Sequence, residues 1–212
     1  MLAQPRRSSK QRQTELTDAA LHIIGTRGIA ALSTGSLAKQ VGLSTGAIFR
    51  HFDSLDALLD AVVTRVAGVL DATYPPGELP PGERLNRFVE ARSTAVGTRV
   101  GMLRLVISEQ FLLALPKSSS KRLARCVQRT REFVLQCLRE GQATGEFRTD
   151  IDASVLAVMV MGTVQMLAVS TSRARHLEVE AQQVRAGLLT LLKPPVAGRQ
   201  GGSRKHTRRK ST

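Results

Sequence analysis

The chain has 212 residues, and 42% of them are hydrophobic, so a core can form without disulfides or metal. Aromatic residues make up only 3%, with no Trp and a single Tyr74, which predicts an aliphatic interior. Lys and Arg number 31 against 17 Asp and Glu, a formal charge of +14. That favours a polyanionic partner and argues against an acidic disordered chain or a disulfide-built secreted one.

In chain order, residues 1–13 hold Arg6, Arg7, Lys10 and Arg12 and no acid. No apolar run follows the arginine pair, so the expectation is a flexible basic arm and no secretory leader. Leu16, Ala19, Ala20, Ile23 and Ile24 form a helical stripe closed by Gly28. Ser33 and Thr34 can cap a short helix carrying Leu37, Ala38 and Val41, which stops at Gly42. Ser44 can cap another over 45–51. Ser54 can cap a fourth, in which Leu55, Leu58, Leu59, Val62, Val63, Val66 and Leu70 recur toward Tyr74. The run PPGELPPG at 75–82 breaks it.

Further helices are expected near 83–98, 100–115, 117–141, 152–172 and 177–192, with Pro116 and the turn 142–150 as separators. No stretch alternates with a period of two. The fold class is therefore all-α, a compact helical head joined to a larger bundle. The expected boundaries are arm 1–13, head 14–60, bundle 61–192 and a basic tail 193–212 that holds seven Lys or Arg and no acid. The apolar run 153–169 contains Ser154, Thr163 and Gln165 and is short for a membrane span, so a helix buried on two sides is expected. Cys126 and Cys137 would lie about three turns apart, roughly 16 Å on one helix, too far to bridge. A reduced, cytoplasmic protein is the simple reading.

Residues 33–52 read STGSLAKQVGLSTGAIFRHF, two short helices joined by a glycine-containing turn, which is the helix-turn-helix pattern. The chain here resembles the TetR family of transcriptional regulators. The resemblance is carried by Ala19-Ala20, Gly28, Ser33-Thr34, Leu37-Ala38, Gly42-Leu43-Ser44, Gly46, Ile48, His51-Phe52, Ser54 and Leu58, over about residues 12–60. Two positions depart from the family pattern: Phe49 replaces a tyrosine and Leu55 a lysine, and each change removes a phosphate contact.

Arg50 is the expected base reader, because its forked guanidinium matches the O6/N7 edge of guanine. Thr45 and Ala47 are expected at base edges. Ser44, the Gly46 N–H and His51 are expected at phosphates. Ser33, Thr34, Gly35 and Ser36 start the preceding helix, within reach of the DNA backbone. The head 14–60 holds Arg27, Lys39 and Arg50 against five acids, so it needs the arm of Arg6, Arg7, Lys10 and Arg12 beside it.

The resemblance further implies a homodimer on a palindromic operator, with release by a small-molecule effector as the default behaviour. In the bundle, Leu177, Ala181, Val184, Leu188 and Leu191 recur at helical spacing and, with Val158, are the expected dimer seam. Met102, Leu105, Val106, Phe111, Phe133, Met159 and Met166 are the candidate pocket lining. Glu109 is its one obvious polar group, which suggests an apolar or cationic effector.

Enzymatic chemistry is not expected. GLSTG at 42–46 matches the G-x-S-x-G nucleophile elbow, but that elbow needs a strand before its serine. His22, His51, His176 and His206 show no metal-ligand spacing, no phosphate-cradling loop is present, and neither metal nor cofactor is expected. Two other readings compete: a sequence-tolerant, nucleoid-type DNA binder driven by the basic arms, and a helical hydrolase using Ser44.

Overall fold

The computed structural model describes residues 8–97, 109–171 and 178–195, and its regular elements there are all helical. They run α1 Ser9–Arg27, a single 3-10 turn Ile29–Ala31, α2 Thr34–Val41, α3 Thr45–Phe49, α4 Leu55–Asp71, α5 Pro81–Gly97, α6 Glu109–Ala114, α7 Lys117–Ala143, α8 Ala153–Thr171 and α9 Glu178–Leu192.

Each of the first four helices opens on a serine. The hydroxyls of Ser8, Ser33, Ser44 and Ser54 accept the backbone N–H three residues on, which satisfies a donor the helix leaves unpaired. Ser8 and Gln11 complete a capping box, with Ser8 N donating to Gln11 Oε1 at 2.9 Å. α1 therefore begins at Ser9, not near residue 14. Lys10 and Arg12 are helical rather than part of a loose arm, and Arg12 pairs with Glu15 at 2.8 Å. α3 is also shorter than expected and ends at Phe49.

The interior divides into two clusters. One gathers α1–α4 around Leu16, Ile23, Leu37, Ile48 and Phe52, and continues into the bundle through Val96, Phe111, Leu115, Leu123 and Ala168. The other joins α5, α7, α8 and α9 through Leu85, Phe88, Val134, Leu138, Val160 and Leu188. α4 contributes Leu58, Leu59, Val62, Val63, Val66 and Leu70 to the first cluster, so head and bundle share one continuous packing unit across residue 60. Polar contacts reinforce the joint. Ser119 Oγ donates to Asp60 Oδ1 at 2.8 Å, Arg122 Nη1 donates to Thr64 at 2.8 Å, and Arg129 pairs with Asp71.

At the far end the chain reverses tightly between α7 and α8. Gly145 takes φ +76, and the Phe147 ring lies where a Cβ on Gly141 would fall, 2.2 Å away, so a side chain at 141 would displace it. Arg84, at the start of α5, pairs with Glu140 of α7. The apolar run 153–169 forms most of α8: Leu156, Ala157, Val160, Val164 and Leu167 face the core, while Val155, Val158, Met159 and Met166 face outward. Among the described residues no helix is long and apolar enough to cross a membrane.

Candidate nucleic-acid interface and bundle cavity

Five residues are too few to hold a helix by themselves, so α3 depends on its neighbours. Ile48, 2% exposed, anchors it against the cluster that contains Leu37, Ala38 and Phe52. Burying that side chain is worth about 1.5–3 kcal/mol. Gly42, at φ +68, makes the left-handed step that turns α2 into the approach to α3, and Leu43 N closes it on Ala38 O at 3.0 Å. With Ile48 inward, Ser44, Thr45, Gly46 and Arg50 are exposed, Ala47 is half-buried, and Phe49 stands 47% exposed.

His51 is half-buried, and α1 holds it. Ser9 Oγ lies 3.4 Å from His51 Nδ1, and Gln13 Nε2 donates to His51 O at 3.0 Å. These contacts set the exposed Lys10 in the same stretch of α1 that meets the end of α3. Neither tether was anticipated, because nothing in the spacing of Ser9 and Gln13 relates them to a residue some forty positions away. Arg6 and Arg7 lie outside the described residues.

The start of α2 is capped by Ser33, as expected, and Ser36 completes the cap. Ser36 Oγ donates to Ala31 O at 2.7 Å and accepts from Ser33 N at 2.9 Å, while Ser33 Oγ accepts from Ser36 N at 3.1 Å. Both hydroxyls are thus engaged in capping. Thr34 is half-buried and Gly35 exposed. Leu55, in the place of a lysine, packs against the head cluster. Ser44 Oγ is occupied as the α3 cap, accepting from Ala47 N at 3.2 Å, and a helix, not a strand, precedes it. No group of three or more His, Cys, Asp or Glu among the described residues is placed to hold a metal.

A cavity of about 70 Å³ opens between α4, α5, α7 and α8. Leu70, Phe88, Val96, Val127, Val164 and Ala168 form its apolar wall, and Arg92, Thr130 and Gln165 supply its polar groups. Met161 lines it. Of the expected lining, Met159 and Met166 point outward from α8, Phe111 is buried in the cluster shared with the head, and Phe133 packs on the far cluster. The phase of α8 explains this, because its inward positions 157, 160, 164 and 168 leave 159 and 166 on the opposite side. Met102, Leu105 and Val106 lie outside the described residues, as does the side chain of Glu109.

Sequence reasoning missed Arg92. Leu85, Phe88, Val89 and Val96 mark the buried stripe of α5, and Arg92 lies on it, four residues from Phe88 and from Val96. It is 4% exposed, with its guanidinium carbon 4.9 Å from the Phe88 ring centroid and 5.2 Å from that of Tyr74. Burial pushes its pKa down, and Tyr74 and Asp71 oppose the shift. Among the described residues that line the cavity, Arg92 is the charged one.

The expected dimer seam also divides. Ala181 and Leu188 are buried in the chain's own far cluster, whereas Val184 and Leu191 are exposed, as is Val158 on α8. Leu177 lies outside the described residues. The regular spacing identified the apolar side of α9, but part of that side is consumed within the same chain.

Comparisons with known proteins address the head and the bundle separately. Residues 16–62 match the model of bacterial regulatory proteins of the tetR family, and residues 78–169 match the tetracyclin repressor-like C-terminal domain; together these span more than half of the chain. The nucleoid occlusion factor SlmA of Vibrio campbellii is 26% identical over 167 residues, 75% of this chain and 82% of that protein. The ketosteroid transcriptional regulator KstR2 of Mycobacterium tuberculosis shares the fold at a TM-score of 0.74 and 22% identity, over 86% of this chain and 95% of its own. So does AibR, solved with isovaleryl coenzyme A and operator DNA, at a TM-score of 0.72 and 16% identity, over 87% and 100%. With the helix-turn-helix in the head and the matching bundle behind it, the chain belongs to the TetR family of DNA-binding transcriptional regulators.

Proposed function

We propose that this protein is a cytoplasmic homodimeric repressor, released from a palindromic operator when a small molecule occupies the bundle cavity. The observation that carries this reading is the position of α4. Its first half packs into the head through Leu58, Leu59 and Val62, and its Leu70 lines the cavity. A ligand that favours one placement of Leu70 thereby favours one placement of the heads, and operator affinity changes by the differential affinity for the two states.

In this reading Arg50, Thr45 and Ala47 read bases, while Ser44, the Gly46 N–H and His51 meet phosphates. Phe49, in place of a phenol, supplies apolar contact. Lys10, with Arg6, Arg7 and Arg12, supplies charge that is independent of sequence. Ser33, Thr34, Gly35 and Ser36 approach the backbone through their main-chain groups, since the two serine hydroxyls are used in capping. The exposed Val158 and Met166 of α8, 67% and 64% exposed, together with Val184 and Leu191 of α9, form the apolar face that a second copy covers. A two-fold pair then spaces two α3 helices for two half-sites.

A second reading takes support from the likeness to SlmA: a protein that coats DNA and acts on the nucleoid, not on one promoter. Footprinting DNA upstream of the protein's own gene and its neighbours separates the two. A protected palindrome that vanishes in Arg50→Ala supports the repressor. Uniform, steeply salt-dependent protection that Arg50→Ala leaves intact refutes it.

A further inference from the structure

The cavity contains a group whose chemistry is not satisfied within the fold. Nε and Nη2 of Arg92 are buried and have no hydrogen-bond partner. These two nitrogens share one edge of the guanidinium plane, and that edge is the side-on fork that grips both oxygens of a carboxylate. A guanidinium stays protonated even when burial lowers its pKa, so a charge remains here. No ion pair among the described residues includes Arg92, and the nearby Asp71 is taken by Arg129. The Phe88 and Tyr74 rings lie against the guanidinium carbon, and the Tyr74 hydroxyl is a hydrogen-bond neighbour of Arg92, yet Nε and Nη2 remain without a partner. Arg84, the other buried arginine of α5, also has an unpartnered Nε, but its charge is paired with Glu140, and that of Arg92 is not paired with a carboxylate among the described residues.

A desolvated cation with no carboxylate partner and two unpartnered donors, beside a largely apolar void, is costly to fold around, and a ligand that meets those donors lowers the cost. We propose that Arg92 is the anion-recognition group of this cavity, and that its ligand is a small amphipathic carboxylate. The carboxylate takes the Nε–Nη2 edge, and the aliphatic or aryl body lies against Leu70, Val96, Val164 and Ala168. Thr130 and Gln165 border the same space and can orient the head group. The proposal rests on reading the chain as an effector-controlled regulator and names the class of effector. It reverses the sign of charge suggested by Glu109 in the sequence. A coenzyme A thioester, the kind of ligand seen with AibR, is a different class: its acyl group is an ester carbonyl, and its charge resides on distant phosphates.

The test is calorimetric titration of the full-length protein with isovalerate, octanoate and phenylacetate. Each is matched by its neutral alcohol, and octylamine and octanoyl coenzyme A serve as further arms. The expected result is that at least one carboxylate binds about 30-fold or more tighter than its alcohol. Arg92→Gln brings that carboxylate down to the level of the alcohol. Arg92→Lys restores part of the difference, because a point charge replaces the fork.

The wild-type panel decides the matter even if a variant fails to fold. The proposal is overturned if none of the three carboxylates binds, if alcohol or amine binds as tightly, or if only the thioester binds. It is equally overturned if Arg92→Gln leaves carboxylate affinity unchanged. DNA binding is measured in parallel without ligand. A protein that binds octanoate but never DNA refutes the regulator, and one that binds its operator but no carboxylate refutes the anion site.

Discussion

The joint between α4 and α7 can be tested at Asp60, where the structure gives two partners of unequal burial. Ser119, whose hydroxyl donates to Asp60 Oδ1 at 2.8 Å, is 0% exposed. Arg122 Nη2 lies 3.4 Å from the same oxygen, but the two side chains are 38% and 40% exposed. In Asp60→Ala the buried hydroxyl loses its acceptor, at about 1–3 kcal/mol. The screened ion pair adds at most about 1 kcal/mol. In Ser119→Ala the carboxylate keeps Arg122 and water, so only the net worth of one hydrogen bond is lost, about 1 kcal/mol.

The double variant leaves no orphaned group and should cost less than the sum of the singles, a coupling of about 1–2 kcal/mol. Urea denaturation of the four proteins in the cycle measures this. The same four, titrated with DNA in the presence and absence of a bound ligand, read whether α4 transmits. Weakening the joint should reduce ligand-induced release more than it reduces DNA affinity itself. Additive substitutions, or a Ser119→Ala cost equal to that of Asp60→Ala, would refute this coupling. Either result means that the hydroxyl finds another acceptor, such as a main-chain carbonyl of its own helix.

Lys10→Ala should weaken binding to every DNA sequence alike and lower the log–log salt slope by about 0.9, whereas a sequence-dependent loss would make Lys10 a base reader. Burial pushes the thiols of both Cys126 and Cys137 up from their ordinary value of 9.0, so native protein at neutral pH should react slowly with thiol-specific reagents and release two thiols on unfolding. Because the folded pKa values are the higher ones, the associated stability is fully present below pH 9 and is lost as pH rises through the folded values; denaturation curves that improve above pH 9 would contradict this. Val158→Glu should yield a folded monomer by analytical ultracentrifugation, since this exposed side chain is not part of the core; an unchanged dimer would place the interface elsewhere.

The helical order and the head were legible because their signals are local. Serines three residues ahead of a backbone donor, and glycines at Gly28 and Gly42 with positive φ, specify ends without reference to the rest of the chain. What was not legible depends on rotation of one helix against another. The spacing of Ala181, Val184, Leu188 and Leu191 marks one apolar side of α9, yet half of it is buried in its own chain and half is exposed. On α8, which is apolar all round, a methionine carries no information about the face it occupies; Met161 reaches the cavity and Met159 and Met166 do not. The start of α1 was hidden in a basic run that composition alone read as loose, although Ser8 and Gln11 already spelled a capping box.

Arg92 shows how such a misreading can still be informative. A charge on a buried stripe violates the pattern that makes α5 amphipathic, and the fold contains a second violation of the opposite kind, apolar side chains on the outer faces of α8 and α9. Each is a liability in a lone, empty chain, and each is relieved by a different partner, an anion in one case and a second copy in the other. Both partners bind the folded state only, so both stabilise it by mass action. The two sites meet in α8, whose inner face lines the cavity and whose outer face is the proposed interface. An anion that draws Arg92 toward itself therefore acts on α8 from within while α4 carries Leu70 toward the heads. If operator DNA favours the empty arrangement, linkage requires the DNA to weaken anion binding by the same factor by which the anion weakens DNA binding. Titrating octanoate into the protein with and without its operator measures that factor, and an octanoate affinity that the operator leaves unchanged would mean that the anion is not what releases the protein from DNA.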